Sequence, residues 1–386
     1  MKKIFIFFFL YNITLGNIFI FKVGVGFYKD NRIPELQSVV NDCAYFQHII
    51  DFMFKNSYTK KLDLYNENAN LINFKEKIFY LLKESTENDT LIFYFSGHGY
   101  VKKIDSELFH LIALYDSDID NPATFFAKEE FLLWFSKIKA RLKIFIFDNC
   151  FSFNIDPTEI GKNTIIISAS SYVTKSFIDN KLGISYFTFY FGKALKGRAD
   201  FNNDNILSLE EIKKYLDQIF ITKGINLTPI IKYSNNITFK KMNKKIAFVL
   251  SKNDNEIKLD IGKNDNLSIK TKLLDPLSNA IYKIDTIKDE YSIIKNNKTL
   301  DSDYLKVLHY EKLCNLIVEA KPWAIIELDG NIYGYTPYII KGIPAGSHEL
   351  KLSHPSLGQK TFDINITQEE TKKIKVNMHE KKNIIN

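Results

Sequence analysis

The chain has 386 residues, of which 45% are hydrophobic and 25% charged, and its formal net charge is +7. That length favours two or three domains over one, and the composition is that of a folded chain, not of a disordered or low-complexity one. The excess lysine is scattered, with no run of like charge and no aromatic–basic interleaving, which argues against a nucleic-acid partner.

Met1-Lys2-Lys3 followed by the apolar run Ile4–Leu10, with the small residues Thr14 and Gly16 behind it, predicts a signal peptide over residues 1–16. The competing reading is an N-terminal extension of the first strand. The signal peptide implies a secreted or periplasmic location. The apolar run is short for a transmembrane helix, and no later segment is long and apolar enough to span a bilayer. Ile18 to Tyr28 is expected to be a strand, and Leu36 to Phe54 and Leu71 to Glu84 are expected to be helices. Thr90–Phe95, Lys143–Phe147 and Thr164–Ala169 are short apolar runs bounded by polar residues or glycine, as in strands buried on both faces of a parallel sheet. Leu108–Tyr115 reads as a strand or hairpin arm. Lys128–Ile138, Tyr186–Leu195 and Leu209–Phe220 read as helices. Strands alternating with helices predict a largely parallel α/β domain over residues 17–240.

From about residue 241 to 313 the runs shorten and are separated by Asn, Asp, Lys and Gly, which predicts a small all-β domain. A second β unit is expected over 314–378, followed by a disordered tail at 379–386. Its signposts are Asp329-Gly330, a hairpin-turn pair, then Gly334-Tyr-Thr-Pro337 and Ile343-Pro-Ala-Gly346. These residues resemble a PEGA module, which implies envelope or surface partners for the β region.

Two of the apolar runs stop at reactive side chains. One ends in Ser96-Gly-His98-Gly99 and the other in Asp148-Asn149-Cys150. In an open α/β sheet the ligand crevice lies at the carboxyl ends of the strands. Neighbouring strands of this kind bring His98 and Cys150 to one edge, the minimum pair for thiol nucleophilic catalysis. The imidazole makes the thiolate accessible near neutral pH and afterwards protonates the leaving amine. The backbone N–H groups of Gly99 and Cys150 are the candidate oxyanion donors. The other two cysteines, Cys43 and Cys314, are expected to be inert. Three cysteines do not make a disulfide framework.

Phe95-Ser-Gly-His98-Gly99 and Phe147-Asp-Asn-Cys150 resemble the two catalytic motifs of the caspase–metacaspase clan, the peptidase C14 group. Val23–Tyr28, Val40-Asn41-Asp42, Ile167-Ser-Ala-Ser170 and Tyr186-Phe-Thr188 resemble further landmarks of that fold in the same order. The resemblance implies a caspase-like α/β fold and a cysteine endopeptidase acting on protein or peptide substrates. The metacaspase pattern also implies an acidic S1 pocket made of Asp148 and the first-helix Asp42. Asp148 lies two residues before Cys150 on an extended strand end and so projects to the same side. Two carboxylates favour a cationic P1 side chain, Arg or Lys. The competing reading of Asp42 is a local hydrogen bond. Phe151-Ser152-Phe153 departs from the family pattern after the cysteine and supports the alternative function, a catalytically inactive scaffold that binds envelope partners through its β modules.

No cofactor is required by this chemistry. Asp200, Asn202, Asp204, Ile206, Ser208 and Glu211 have the spacing of an EF-hand calcium loop, with Asn205 where Gly is usual. Ser208 and Glu211 equally form a capping box, so the same stretch also reads as a turn that starts a helix.

Overall fold

The computed structural model describes residues 16–55, 57–104, 107–149, 155–169, 178–179, 183–235, 237–240, 242, 246–265, 267–269, 271–278, 280–295, 300, 302–309, 313–344, 346–367 and 371–379. The leader through residue 15, Cys150 with Phe151-Ser152-Phe153, and the tail from 380 lie outside the described residues. The chain divides into two compact units, Met1–Lys244 and Lys245–Asn386.

In the first unit the elements are β1 (Ile18–Gly24), α1 (Val39–Met53), β2 (Thr59–Tyr65), α2 (Leu71–Glu84), β3 (Thr90–Ser96), β4 (Gly99–Ile104), β5 (Glu107–Ile112), β6 (Phe126–Ala127), α3 (Lys128–Phe135) and β7 (Leu142–Asp148). Then follow α4 (Pro157–Ile160), β8 (Thr164–Ser168), β9 (Ile178–Asp179), β10 (Ile184–Ser185), α5 (Tyr186–Lys193), β11 (Ile206–Ser208), α6 (Leu209–Lys223), β12 (Ile230–Tyr233) and β13 (Thr238–Lys240). The main sheet has the order β12-β8-β7-β3-β1-β2. Its strands run parallel except β12, which is antiparallel to β8. The helices cover both faces, as a sheet of apolar runs requires.

The alternation of side chains along each strand decides what each face carries. Phe21, Phe93, Phe145 and Phe147 project to one face and pack with Phe74 of α2 and with Phe131 and Phe135 of α3. Tyr94, one residue away from Phe93, projects to the other face, where its ring stacks on Phe46 of α1 at 4.1 Å between centroids. The last residue of each central strand shares Tyr94's face. Gly24, Ser96 and Asp148 stand side by side across β1, β3 and β7 in the parallel register. The strand ends therefore present a polar row on the face covered by α1 and α5.

Two expectations shift. The first strand stops at Gly24 instead of running to Tyr28, because the Val25 N–H turns to the Ser96 carbonyl at 2.9 Å and the chain leaves the sheet. The α5 region continues past Lys193 as a π-helical turn from Ala194 to Arg198. In the second unit, one seven-stranded antiparallel sheet spans Ile246–His309 around Ile257, Leu259, Leu273 and Leu305. Two further sheets of three and four strands follow, from Leu313 to Asn377, and enclose Leu316, Ile326, Leu350, Phe362 and Ile374. Those two sheets are antiparallel apart from the parallel pairing of Leu313–Lys321 with Thr371–Asn377. The Asp329-Gly330 turn has φ of 49° and 79°, the left-handed pair of a type I′ hairpin.

Candidate active site

Two helices close on the polar row at the strand ends. Glycine at position 24 is needed for this: a Cβ there would lie 2.6 Å from Cys43 Sγ and 3.0 Å from Val39 Cγ1. With no side chain in the way, the first turns of α1 settle over β1 and carry Asp42 to Ser96. Asp42 is 1% exposed. Its Oδ2 accepts hydrogen bonds from Ser96 Oγ at 3.1 Å and from Ser38 Oγ at 3.2 Å, and its Oδ1 accepts from the Ser185 N–H at 2.7 Å. Gly192 does the same for α5, where an added Cβ would lie 2.5 Å from Tyr45 Cε1 and 2.6 Å from Ile49 Cδ1 of α1. The N-terminus of α5 is thereby brought to the polar row. There Ser185 Oγ and Thr188 Oγ1 both donate to Asp148 Oδ2, the latter at 2.6 Å.

Two buried carboxylates thus lie close together, with Ser185 bonded to both. Both are pushed up from the ordinary carboxylate range. Burial is the larger cause for Asp42, and the Asp148 charge adds to it against the donors Ser185, Ser96 and Ser38. Burial raises Asp148 to about 6, opposed by the Ser185 and Thr188 hydroxyls. Neither acid has a cation among its hydrogen-bonding partners within the described residues. A positive guest is what such a pair lacks.

His98 follows two residues after Ser96. Its backbone N–H donates to Tyr28 Oη at 2.9 Å, and Tyr28 in turn donates to the Val25 carbonyl at 3.0 Å. Its Nε2 lies 2.9 Å from the Pro34 carbonyl. A carbonyl only accepts, so Nε2 carries the proton in the neutral ring and Nδ1 is the basic nitrogen. Burial lowers the His98 pKa, partly offset by the Pro34 carbonyl. The ring is therefore neutral at pH 7 and competent to take a proton. The segment bearing Pro34 is itself pinned: Arg32 makes a bidentate pair with Asp30 and reaches Asp118 at 2.9 Å and Asp120 at 2.7 Å.

Gly99 begins β4. The Ala113 N–H donates to the His98 carbonyl at 2.9 Å, and Gly99 stands opposite Ile112. That makes Gly99 and Ile112 a non-hydrogen-bonded pair, so the Gly99 N–H points out of the ladder, away from β5. Cys150 lies outside the described residues. The described chain ends its strand at Asp148, two residues before it, beside the Ser96 end of β3. Cys43 is a buried free thiol, raised well above its usual pKa by burial and by the adjacent Asp42 charge.

The Asp200–Glu211 stretch connects the α5 region to α6. The Asn202 side chain accepts from the Asp204 N–H at 2.9 Å, and Asp204 accepts from the Ile206 N–H at 2.7 Å. Asp200 accepts from the Asn205 N–H at 3.3 Å. Ser208 and Glu211 form a complete capping box for α6. These oxygens serve the loop's own backbone, and no group of three or more His, Cys, Asp or Glu among the described residues is gathered to hold a metal.

No sequence motif marks Ser185 or Pro34, and Tyr28 and Thr188 stand in the sequence only as ends of landmark segments with no role at the site. Each acts through a contact between residues far apart in the chain. Only the Ser185-Tyr-Phe-Thr188 pattern, a helix N-cap with its N3 residue, carried a local signal.

A doubly covered, mostly parallel sheet with a histidine and a carboxylate pair at its carboxyl edge defines a caspase-like α/β domain. The caspase-domain family profile matches residues 23–251, and the chain belongs to that family. A PEGA-domain profile matches residues 313–382. No curated protein matches the chain. Among solved structures, the chain is similar to caspase-1 from Spodoptera frugiperda, with a TM-score of 0.42 and 10% identity over 58% of this chain and 90% of that one. It is similar to a protein from Geobacter sulfurreducens, with a TM-score of 0.41 and 12% identity over 59% and 98% of the two chains. It is also similar to the Drosophila initiator caspase Dronc, with a TM-score of 0.41 and 13% identity over 57% and 82%.

Proposed function

We propose that this protein is a cysteine endopeptidase that cleaves peptide bonds after Arg or Lys. Cys150 is the nucleophile and His98 the general base. The thiol proton passes to His98 Nδ1 as sulfur attacks the scissile carbonyl, and the same proton then goes to the leaving amine. The N–H groups of Gly99 and Cys150 receive the oxyanion. The outward direction of the Gly99 amide supports the first of these roles. The acyl-enzyme is released by water, activated by His98.

The observation that carries the reading is the buried pair Asp42 and Asp148 beside the strand that leads to Cys150. An acidic P1 residue would bring a third carboxylate into that crevice, whereas a guanidinium or ammonium satisfies both acids. Fluorogenic peptides with P1 Arg, Lys and Asp test it directly on the natural sequence and on Cys150→Ala. Turnover of Arg and Lys peptides that disappears in Cys150→Ala is expected. Absence of Cys150-dependent turnover, with or without calcium, would leave the inactive scaffold as the better reading.

The location we propose is outside the cytoplasm, on the strength of the leader sequence, with the PEGA region contacting envelope partners. N-terminal sequencing of exported material checks the leader: cleavage after Gly16 is expected, and an intact Met1 in soluble cytoplasm contradicts it. Calcium, if it acts, acts through the Asp200–Glu211 loop, and Asp204→Ala would then abolish the calcium response.

A further inference from the structure

The residue bonded to both pocket acids belongs to no motif noted above as catalytic. Ser185 is 4% exposed and stands immediately before α5. Its backbone N–H holds Asp42 at 2.7 Å, and its hydroxyl donates to Asp148 while accepting the Thr188 N–H at 3.0 Å. The segment is tied in from behind by Asn41, whose side-chain amide donates to the Gly183 carbonyl at 2.7 Å. Thr188 completes the clamp, its hydroxyl lying 2.6 Å from Asp148 Oδ2 and 2.8 Å from Tyr94 Oη.

We propose that Ser185 is the positioning residue that sets the charge selectivity of this crevice, holding Asp42 and Asp148 in one receptor for a planar amidinium or guanidinium guest. The inference rests on the reading of the crevice as a P1 pocket. Among the described residues, both hydroxyl donors to Asp148 land on one oxygen, Oδ2. Without the Ser185 hydroxyl, Asp148 keeps the Thr188 hydroxyl and backbone N–H as donors and holds its proton to higher pH. Without the fixed position of the Ser185 backbone, α1 and α5 no longer hold the two acids at one separation.

The titratable groups around the pair are Asp42 and Cys43 from α1, Tyr94 from β3 and Asp148 from β7, with Lys22 of β1 and Asp63 of β2 further out beside Cys43. The α5 side contributes the Ser185 and Thr188 hydroxyls. Asp148 is raised to about 6, and Asp42 beside it is raised as well. The crevice therefore gains negative charge, and affinity for a cation, as pH rises through that value.

Calorimetric titration of the full chain with benzamidine tests this without relying on turnover. Affinity is expected to rise about tenfold per pH unit below the Asp148 midpoint and to level off above it. Ser185→Ala should move the midpoint up by about one unit, which is about a fivefold loss of affinity at pH 6 and about tenfold well below it. Ser185→Thr, which keeps a hydroxyl and the N-cap, should restore it. If Ser185→Ala does not fold, Thr188→Val removes the other hydroxyl from the same oxygen and should shift the midpoint in the same direction. Failure of benzamidine to bind, a pH-independent affinity, or a Ser185→Ala curve that overlays the natural one would overturn the inference. Binding that follows the expected profile in a chain without Cys150-dependent turnover would keep the clamp and reject the peptidase.

Discussion

Asp148 is held at a cost that its side-chain partners only partly offset. In the folded chain its pKa is about 6, raised by burial from 3.8. Well below pH 3.8 the group is neutral in both folded and unfolded chains and makes no difference. As pH rises from about 4 to 6 the unfolded chain ionises first, so folding loses stability across that window and does not regain it above. Asp148→Asn removes the titration and keeps hydroxyl partners that can turn to accept. It should therefore stabilise the protein at pH 7.5 by about 1–3 kcal/mol and leave stability at about pH 3 nearly unchanged, as read from urea melts at the two pH values. The same change should lower kcat/KM for P1 Arg peptides by about a hundredfold. A pocket acid that is costly to keep and needed for cationic substrates satisfies both results, whereas a merely structural acid satisfies neither. At this scale the sequence marked His98, Asp148 and Asp42. It hid Ser185 and Pro34, because a serine that bridges two helices and a carbonyl that orients a ring have no pattern of their own.

Between elements, close approach does the positioning. Gly192 lets α5 lie against Tyr45 and Ile49 of α1, and the helices carry Ser185 and Asp42 to each other. Gly192→Ala places a methyl where Tyr45 stands. It should cost about 1–3 kcal/mol in thermal or denaturant unfolding and weaken P1 Arg binding together with it. On the other side of the crevice, Arg32 ties the Pro34 segment to Asp118 and Asp120. Arg32→Ala should let the Pro34 carbonyl drift from His98 Nε2 and free the ring to adopt the other tautomer. The expected signature is a fall in kcat of about tenfold with KM nearly unchanged, since the P1 acids are untouched. A fall confined to KM would show that Arg32 serves the pocket and not the base.

The elements themselves were legible in proportion to their burial. β3, β7 and β8 are largely apolar and buried along their length, and the sequence pattern marks each to within a residue. β2, the edge strand Thr59–Tyr65, has only Leu64 buried. Its Thr-Lys-Lys-Leu-Asp-Leu-Tyr sequence reads as polar, so it passed unnoticed. β12 is a second edge, half-exposed along its length, and was missed for the same reason. Pairing order is not written in either strand, and the row Gly24, Ser96, Asp148 became visible only with the register in hand.

At the scale of the whole molecule, the proposed site residues belong to the first unit and the β-sheets of the second enclose separate apolar clusters of their own. Each unit has what it needs to fold independently. A chain ending at Lys244 should therefore fold with one cooperative transition and keep the P1 preference of the full protein. The full chain should melt in more than one step by calorimetry. Loss of folding on truncation would show that the catalytic unit depends on the second.

The central claim is that Cys150 is an activated thiol facing a pocket for a cation. The measurement that tests it most directly is covalent labelling of the native protein at pH 6.5 with acyloxymethyl ketone peptides carrying P1 Arg or P1 Asp, followed by peptide mapping. The thiolate displaces the acyloxy group and forms a thioether, so the site of attack stays marked. A label on Cys150 from the Arg reagent is expected, blocked by benzamidine, with Cys43 unlabelled in its buried position. Labelling of Cys150 by the Asp reagent in preference to Arg, or no labelling of Cys150 by either, would contradict it.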